Sequence, residues 1–402
     1  MTAFDRLRPA RGGHLVCPYC YTRLTERLIL FRCTGRPGPD GTRCAPVDDA
    51  AVRAHLGRRE RLPPVFTADG RRPRAVCPGC GGGTATRVCV TCHARLPVNF
   101  GRIPSRLIAL VGARESGKTV FMTVLIHELM HRVGARFHAS VGGSDDHTRH
   151  RFHTDYESPL YDDARLLAAT RRTGAAREPL VFRFTTRPRG PWGRRRPRHT
   201  LLSFFDTAGE DLTTQESVET NLRYLDNADG VILLLDPLRM RGARAEAAPG
   251  TPLPPLERAE NPPLDMLSRV TDLLLHRAGS PSRLIPVPMA VCLTKLDVFH
   301  DALDPGSPLR RPQPDSPFFD ESDSRDVHVQ ARRLLHRWDG GRIDAHITNH
   351  YARTRYFGVS ALGRAPDAER RLRGGVSPYR VADPFLWMLS GFGVVPSGGG
   401  RS

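Results

Sequence analysis

The sequence predicts an α/β protein in which a small cysteine-rich module precedes a larger domain built on a parallel β-sheet. Eight of the nine cysteines lie within residues 1–100, in pairs spaced as metal ligands are. After Arg102, apolar runs alternate with amphipathic runs, which is the pattern of a parallel sheet with crossover helices. A glycine-containing loop joins the first apolar run, 107–111, to the first amphipathic run, 120–133.

Length and composition are those of a globular protein without a membrane span. The 402 residues leave room for two or three domains. No apolar run reaches the ~18 residues of a membrane-spanning helix, and the N-terminal residues lack the apolar core of a signal peptide. We therefore expect a cytoplasmic location, where thiols stay reduced.

The formal charge of +18 would ordinarily favour nucleic acid or an acidic membrane surface as a partner. Only two of the 60 basic residues are lysines, Lys118 and Lys295, and the others are arginines. Such an excess indicates compositional drift, which spreads charge without regard to partners, so nucleic-acid binding is possible but not favoured. The two remaining lysines therefore indicate positions where a compact ammonium on a flexible stem is needed and a guanidinium cannot replace it.

The cysteines predict two structural zinc sites of four thiolates each. Grouped consecutively, they form one zinc ribbon in residues 1–60 and a second in residues 61–101. His14 or His55 could replace one thiolate of the first ribbon, and disulfides are the less favoured alternative. The first set is Cys17, Cys20, Cys33 and Cys44, and the second set is Cys77, Cys80, Cys89 and Cys92.

The larger domain is predicted to cover residues 102–395, followed by a disordered tail at 396–402. Pro-rich insertions are expected at about 237–263 and 300–325, and a polar connection is expected at 138–178. A short helix is expected at 48–57 in the cysteine-rich module. In the larger domain, strands are expected at 107–111, 180–185, 200–205, 230–235, 287–293 and 356–359, and helices at 120–133, 264–277, 327–338 and 384–392.

The loop from Gly112 to Thr119 has the pattern G-x-x-x-x-G-K-T between a strand and a helix, the context that a phosphate-binding loop requires. Gly112 and Gly117 let backbone N–H groups face phosphate oxygens. Lys118 is a predicted catalytic residue that reaches the β- and γ-phosphates, and Thr119 places a hydroxyl on Mg²⁺. The predicted nucleotide-binding residues of the loop are Gly112, Glu115, Ser116, Gly117, Lys118, Thr119 and Val120.

A second motif, Asp206-Thr-Ala-Gly209, follows the strand predicted at 200–205. An aspartate at this place can hold Mg²⁺. Gly209 lets its backbone N–H approach the γ-phosphate, so the segment can sense whether that phosphate is present.

A third and a fourth motif are predicted to read the base. A carboxylate accepts two hydrogen bonds from guanine N1 and N2, whereas adenine would leave the Asp297 carboxylate unpaired. The Lys295 stem can lie along the purine and ribose, and the Ser360-Ala361 segment can offer a backbone N–H to guanine O6. The predicted base-recognition residues are Thr294, Lys295, Asp297, Ser360, Ala361 and Leu362.

In order and spacing, these motifs resemble those of the Ras-like GTPases of the translation-factor superclass, over about residues 105–392. The resemblance implies a six-stranded sheet, mostly parallel with one antiparallel edge strand, with helices on both faces and a GTP/GDP switch cycle. More narrowly, the zinc-ribbon front, the arginine-rich switch segment and the Asp-Pro-Phe-Leu-Trp finish resemble the double-GTPase families of bacterial conflict systems. That resemblance implies a second GTPase as partner.

The resemblance also implies a switch threonine on Mg²⁺ and the γ-phosphate, before the second strand. Thr173 is our choice, with Thr170 as the alternative, because arginines followed by Thr-Gly and a strand are similar to the α subunits of trimeric G proteins. In those proteins an arginine just before the threonine acts as an internal finger, a role that Arg171 or Arg172 would take. Glu210 stands where Ras has a water-orienting glutamine, so slow intrinsic hydrolysis is expected.

These motifs predict a GTP-binding switch protein that binds GTP with Mg²⁺, hydrolyses it slowly and signals to a partner through its zinc-ribbon module. The alternative is a zinc-ribbon protein that binds nucleic acid or acts as a scaffold, with a regulatory or inert nucleotide site. The expected partner is a protein effector or a second GTPase. The expected cofactors are GTP or GDP, Mg²⁺ and two structural Zn²⁺.

Overall fold

The larger domain is built on a seven-stranded sheet whose strand order is β2-β3-β4-β1-β5-β6-β7. In chain order the strands are β1 (Ser105–Gly112), β2 (Ala139–Gly143), β3 (Leu180–Thr186), β4 (Arg198–Phe204), β5 (Gly230–Leu235), β6 (Met289–Leu293) and β7 (Thr354–Gly358). Strands β4, β1, β5, β6 and β7 pair in parallel. The predicted α/β class and mostly parallel sheet are therefore confirmed. The computed structural model describes residues 15–98, 100–101, 103–113, 115–167, 178–187, 197–205, 224–255, 262–278, 284–367 and 369–398.

The sheet has one strand more than the six predicted, because residues 139–143 form β2. This segment reads Ala-Ser-Val-Gly-Gly and lacks the alternation of apolar residues that marks a strand. It pairs antiparallel with β3, from Ala139 opposite Thr186 to Gly143 opposite Phe182. In the described sheet, β3 runs antiparallel to both of its neighbours, and β2 covers it, so the antiparallel strand is not at the edge as expected.

Helices cover the apolar strands of the sheet. All residues of β5 and β6 are buried, as expected for parallel strands covered on both faces. No helix among the described residues is both long and apolar enough to cross a membrane. The principal helices are α1 (Ala50–Leu56) in the N-terminal module and, in the larger domain, α2 (Lys118–Glu128), α3 (Asp146–Phe152), α4 (Pro262–Ala278), α5 (Glu321–Arg337), α6 (Gly341–His350) and α7 (Asp383–Gly391).

Side-chain caps set where two of these helices begin. The Asp49 carboxylate accepts hydrogen bonds from the first turn of α1, and Gly57 ends that helix at φ +67°. Asp320 caps α5 in the same way, so the helix begins at Glu321 and not near Val327. Its first turns are polar, which hides them from a search for apolar periodicity.

Short turns occupy much of the described parts of the two Pro-rich insertions, and α4 and α5 begin near their ends. Within 237–263 the chain forms a 3₁₀ turn at Pro237–Arg239 and a helical turn at Arg241–Arg244. Between 296 and 325 it forms 3₁₀ turns at Leu296–Ala302 and Pro308–Arg310 and a short strand at Phe319–Asp320.

In the N-terminal module the eight cysteines form two groups, but the groups are interleaved along the chain. Within each group, the sulfurs joined by hydrogen-bond contacts lie 3.6 to 3.8 Å apart, close to the ~3.8 Å between ligands of a tetrahedral site with Zn–S of about 2.3 Å. Both groups therefore fit structural zinc. One group is Cys17, Cys20, Cys89 and Cys92, and the other is Cys33, Cys44, Cys77 and Cys80.

The consecutive grouping predicted from spacing is therefore wrong. A three-stranded sheet explains the difference, because strand Leu30–Arg32 pairs with both Val65–Phe66 and Arg87–Val88. This pairing brings the first and last cysteine pairs of the module together. Spacing along the chain carries no information about such long-range pairing.

We predict that the full-length protein, after a chelator has removed weakly held metal, keeps two thiolate-bound Zn²⁺, one for each cysteine group. Replacing Cys20 and Cys92 together by serine should remove one Zn²⁺, because both belong to one group. Replacing Cys20 and Cys44 together should remove both. Elemental analysis of the two double variants measures this directly.

Consecutive grouping would reverse the two results, with both zinc ions lost in the first variant and one in the second. The matched control is Cys292→Ser, since Cys292 is fully buried in β6 and lies outside both groups. That variant should keep both zinc ions.

Candidate nucleotide site

The phosphate-binding loop lies between β1 and α2, and two glycines shape it. Gly117 precedes α2 at φ +85°, a conformation that side chains disfavour. A Cβ on Gly112 would lie 2.5 Å from Ser116 Oγ and 3.0 Å from the carbonyl oxygen of Leu234. The loop therefore turns sharply at both ends, in the manner that lets N–H groups face an anion.

Two buried polar side chains line this loop. Lys118 is 7% exposed, and its Nζ donates to the carbonyl oxygens of Gly112 at 2.7 Å and Ala113 at 2.9 Å. Ser116 is 2% exposed, and its Oγ has no hydrogen-bond partner among the described residues. A buried hydroxyl without a partner is unfavourable unless a ligand supplies one. The loop thus fits a phosphate group, with Thr119 and Val120 half-buried at the start of α2.

Parallel pairing of β6 with β7 brings the two base-reading segments together. Ser360 Oγ donates to Asp297 Oδ1 at 2.5 Å and accepts from the Gly363 N–H at 2.9 Å. The Ser360 N–H donates to the Tyr379 carbonyl oxygen. Ser360 thus orients the carboxylate, and the amide offered to guanine O6 would come from Ala361, with Leu362 beside it.

Asp236, which pairs with Lys295 in this site, was not predicted from the sequence. Lys295 has φ +54°, and its Nζ donates to Asp236 Oδ2 at 2.7 Å. The Asp236 side chain is 1% exposed, and its Oδ1 accepts from the Leu238 N–H. Thr294 donates from its N–H and its Oγ1 to Leu235 O, which fixes the motif against the end of β5.

A sequence signal for Asp236 exists. It follows a fully apolar strand directly, and the carboxyl ends of parallel strands meet at one edge of the sheet. The same edge carries Glu115 of the phosphate loop, whose carboxylate lies 3.5 Å from Arg239 Nη2. The turn after β5 therefore contacts both the phosphate loop and the base-reading segment.

The predicted switch residues lie outside the described residues. They are Thr170, Arg171, Arg172, Thr173, Asp206, Gly209 and Glu210. These residues belong to the segments 168–177 and 206–223. Residues 178, 205 and 224 flank those segments and are described, and all three contact the N-terminal module.

The aromatic ring of Tyr21 links the module to Phe205 and Tyr224, the two described residues on either side of the 206–223 segment. Tyr21 follows the Cys17–Cys20 pair and is 1% exposed. Its ring centroid lies 5.9 Å from that of Phe205 and 5.2 Å from that of Tyr224. The Tyr224 hydroxyl donates to Ile108 O and is bonded by Leu110 N–H, both in β1.

Polar contacts extend this interface to Glu178, the first described residue after the 168–177 segment. Arg58 Nε donates to Glu178 Oε2 at 2.8 Å. The Glu178 side chain is 4% exposed, so the Arg58 guanidinium neutralises a buried charge. Ser203 Oγ in β4 donates to the Pro18 carbonyl oxygen at 2.8 Å, inside the first cysteine pair.

Burial and mutual hydrogen bonding act on the thiols of the cysteine group beside this interface. Burial raises the pKa of the Cys17 thiol. Hydrogen bonding with the Cys17 side chain, and with Cys89 and Cys92, lowers the pKa of Cys20. Four thiolates in so small a buried volume would repel one another without a cation, so a bound Zn²⁺ fits the donor set.

Residues 106–314 match the family model Double-GTPase 2. The chain belongs to the Double-GTPase 2 family. As a member of the Double-GTPase 2 family, it is a GTP-binding protein. The chain is also 31% identical to the "Putative ESX-1 scaffolding and assembly protein SaeC" of Mycolicibacterium smegmatis, over 94% of this chain and 99% of that protein.

Two solved GTPase structures are similar to parts of this Double-GTPase 2 member. Sup35 complexed with GDP is 12% identical, over 64% of this chain and 38% of that chain, with a TM-score of 0.22. The Ski7 GTPase-like domain of S. cerevisiae bound to GTP is 10% identical, over 68% and 48%, with a TM-score of 0.28. The chain spans less than half the length of either structure. Membership in the Double-GTPase 2 family rests on the family model and the SaeC relative, not on these structures.

We predict that Asp297→Asn shifts the base preference from guanine towards xanthine. The amide turns one of the two acceptors into a donor, which suits xanthine O2. GTP affinity should fall about 10²-fold, as expected for losing a charge-assisted hydrogen bond and leaving its donor unpaired. Calorimetric titration with GTP and XTP measures both changes.

The control is Ser360→Ala, which keeps both acceptors and removes only the hydroxyl that orients them. It should weaken GTP and XTP binding alike, without exchanging the preference. Equal affinity of the wild-type protein for ATP and GTP would contradict guanine recognition by Asp297.

Proposed function

We propose that this protein is a GTP-driven switch whose nucleotide state is read by the N-terminal cysteine module, which engages a protein partner. The observation that supports the proposal most directly is the buried Tyr21 ring, packed against Phe205 and Tyr224. These two residues border the segment that carries Asp206 and Gly209. A change at the γ-phosphate therefore has a short physical route to the module.

The route begins at the nucleotide. In this proposal Thr119, Thr173 and Asp206 hold Mg²⁺, and the Gly209 N–H contacts the γ-phosphate. Phe205 precedes Asp206 directly, so a shift of the Asp206 backbone displaces the Phe205 ring from Tyr21. Because packed interfaces switch between discrete arrangements, the displacement reaches the Cys17–Cys20 pair as a step and not as a gradual bend.

A second contact couples the module to the other switch segment. Glu178 lies five residues after Thr173 in the sequence and pairs with Arg58 of the module. The Glu178 carboxylate also lies 3.0 Å from His147 Nε2. Because His147 remains as a partner, the contact with Arg58 can break without leaving the buried carboxylate unpaired, which is the behaviour that a switch requires.

The partner is proposed to be a protein. Of the seven exposed large apolar side chains among the described residues, Leu28, Val47, Val76 and Val98 belong to the module. Exposed apolar side chains can contact a protein partner, whereas affinity for nucleic acid comes mainly from cationic contacts with phosphates. SaeC, the relative named above, is described as a scaffolding and assembly protein, and we propose a related role in assembling a complex. A second GTPase is the partner class that the resemblance to conflict-system proteins implies.

We predict that the module's amide hydrogen exchange differs between GDP and a non-hydrolysable GTP analogue, and that Arg58→Ala removes the difference. GTP affinity should change little, because Arg58 contacts Glu178 and no residue of the phosphate loop. Hydrogen-exchange mass spectrometry on the full chain, over residues 15–62, is the measurement.

Arg53→Ala is the matched control. Arg53 pairs with Asp48 inside the module, and both side chains are about half exposed. This variant should keep the nucleotide-dependent difference. If the wild-type module exchanges identically in both nucleotide states, the module does not read the nucleotide.

The hydrolytic step is proposed to depend on the switch arginines. We predict that Arg171→Ala or Arg172→Ala lowers kcat by about 10²-fold or more with nearly unchanged GTP affinity, the signature of an interaction made in the transition state. Glu210→Gln should turn over at an equal or faster rate, because it removes a charge that opposes the developing negative charge. Single-turnover assays of the three variants test this.

Lys118→Ala serves as the contrast, since it should lose nucleotide affinity itself. Arginine variants that hydrolyse GTP like wild type, together with an inactive Glu210→Gln, would make Glu210 the catalytic residue. GTP that stays bound and never turns over would favour a scaffold with an inert site.

A further inference from the structure

A second cluster of metal-ligating side chains lies outside both the nucleotide site and the cysteine module. It consists of His127, His131 and Glu157, whose ligand atoms all lie within 4.8 Å of one another. His127 Nδ1 is 2.9 Å and His131 Nε2 is 3.7 Å from Glu157 Oε1. Nitrogen and oxygen ligands about 2.0–2.1 Å from a tetrahedral ion lie roughly 3.3–3.4 Å apart, and the two distances bracket that value.

The backbone around this cluster departs from regular α-helix on both sides. Helix α2 continues as a π-helical segment, Leu129–Val133, which contains His131. Helix α3 continues as a second π-helical segment, His153–Glu157, which ends at the third ligand. Such segments are rare and are found frequently at functional sites. Here two of them meet at one group of imidazoles and a carboxylate.

The sequence around the two histidines has the H-E-x-x-H pattern, His127-Glu-Leu-Met-His131, in which both rings face one side of a helix. A short pattern of this kind can arise by chance, but here the Glu157 carboxylate lies beside both histidines and completes a set of three ligands. In zinc proteases the glutamate of this pattern is the general base. Here Glu128 is 8% exposed, and Arg132 Nε lies 2.6 Å from Glu128 Oε2. This pairing favours a binding role over a catalytic role.

Neighbouring aromatic and imidazole groups hold the cluster in place. The His127 ring stacks on Tyr161 with centroids 3.7 Å apart. The side chains of His127 and Glu157 are 22% and 17% exposed, whereas that of His131 is 59% exposed. His153 Nδ1 lies 3.3 Å from Glu157 Oε2 on the solvent side. The cluster therefore has a fixed, half-buried base and an open outer face.

We infer that His127, His131 and Glu157 bind a divalent metal ion of the Zn²⁺ type. Two imidazoles and one carboxylate suit Zn²⁺ better than the hard cations Mg²⁺ and Ca²⁺, which prefer oxygen ligands. With three protein ligands and an open face, this ion should exchange more readily than the thiolate-bound ions. It would tie the far end of the helix that begins at the phosphate loop to residues 153–161.

The test is the zinc content of the full-length protein at controlled free Zn²⁺, with Mg²⁺ and GDP in excess to fill the nucleotide site. We expect three Zn²⁺ for each wild-type chain, the third being removed by a chelator that leaves the two cysteine-bound ions in place. His131→Ala should bind two. His131 is largely exposed, so this variant should fold, and an unchanged thermal unfolding midpoint without added zinc checks that it does.

His346→Ala is the matched control. His346 and His350 are also four residues apart on a helix, with ring centroids 4.3 Å apart, but the described residues supply no third ligand. This variant should still bind three Zn²⁺. Cobalt supplies a second measurement, because a third Co²⁺ bound by nitrogen and oxygen should add visible absorption without additional thiolate charge-transfer bands. Two zinc ions in the wild-type protein, or three in His131→Ala, would overturn the inference.

Discussion

Parallel pairing of β1, β5, β6 and β7 is the constraint on which the nucleotide site depends. Parallel strands end at the same edge of a sheet, so their following loops meet there whatever their separation in sequence. The phosphate loop after β1, Asp236 after β5, Asp297 after β6 and Ser360 after β7 occupy that edge. Their contacts link neighbours in the same order, Lys295 with Asp236 and Asp297 with Ser360. The phosphate and base regions are thereby held by one rigid scaffold.

The cysteine module is fastened to the opposite half of the sheet, where β3 and β4 pair antiparallel. Val181 and Leu201 of these strands share an apolar cluster with Cys17 and Leu24 of the module. Because the two cysteine groups interleave, the module holds together through long-range pairs and cannot open from one end alone. In the proposed switch, a module built in this way would move as one body when Tyr21 is displaced, whereas two independent ribbons on a flexible chain would absorb the displacement.

Local patterns predict those parts of the structure whose cause is local. The bounds of β5 agree with the predicted 230–235, because a continuous apolar run marks a fully buried strand. Helix α6 was not predicted. Its buried Asp344 accepts from Arg332 and from the Tyr356 hydroxyl, and a local sequence pattern does not contain such tertiary contacts. The phosphate-loop and base-reading motifs are contiguous and therefore readable. The interleaved cysteines, Asp236 and Tyr21 depend on strand pairing far along the chain, and no spacing rule contains that information.

Lys118 and Arg380 show how hydrogen-bond geometry suits one cation or the other. Lys118 is buried, and its Nζ donates to the carbonyl oxygens of Gly112 and Ala113. A guanidinium at that place would bring five donors in a planar fork, and each buried donor without an acceptor would cost about 1–3 kcal/mol. Arg380 shows the converse: its fully buried guanidinium donates to Asp383, Asp323 and the Arg311 carbonyl oxygen. A compact ammonium therefore suits the phosphate loop, where two carbonyl oxygens lie side by side, and a guanidinium suits a place where acceptors surround it.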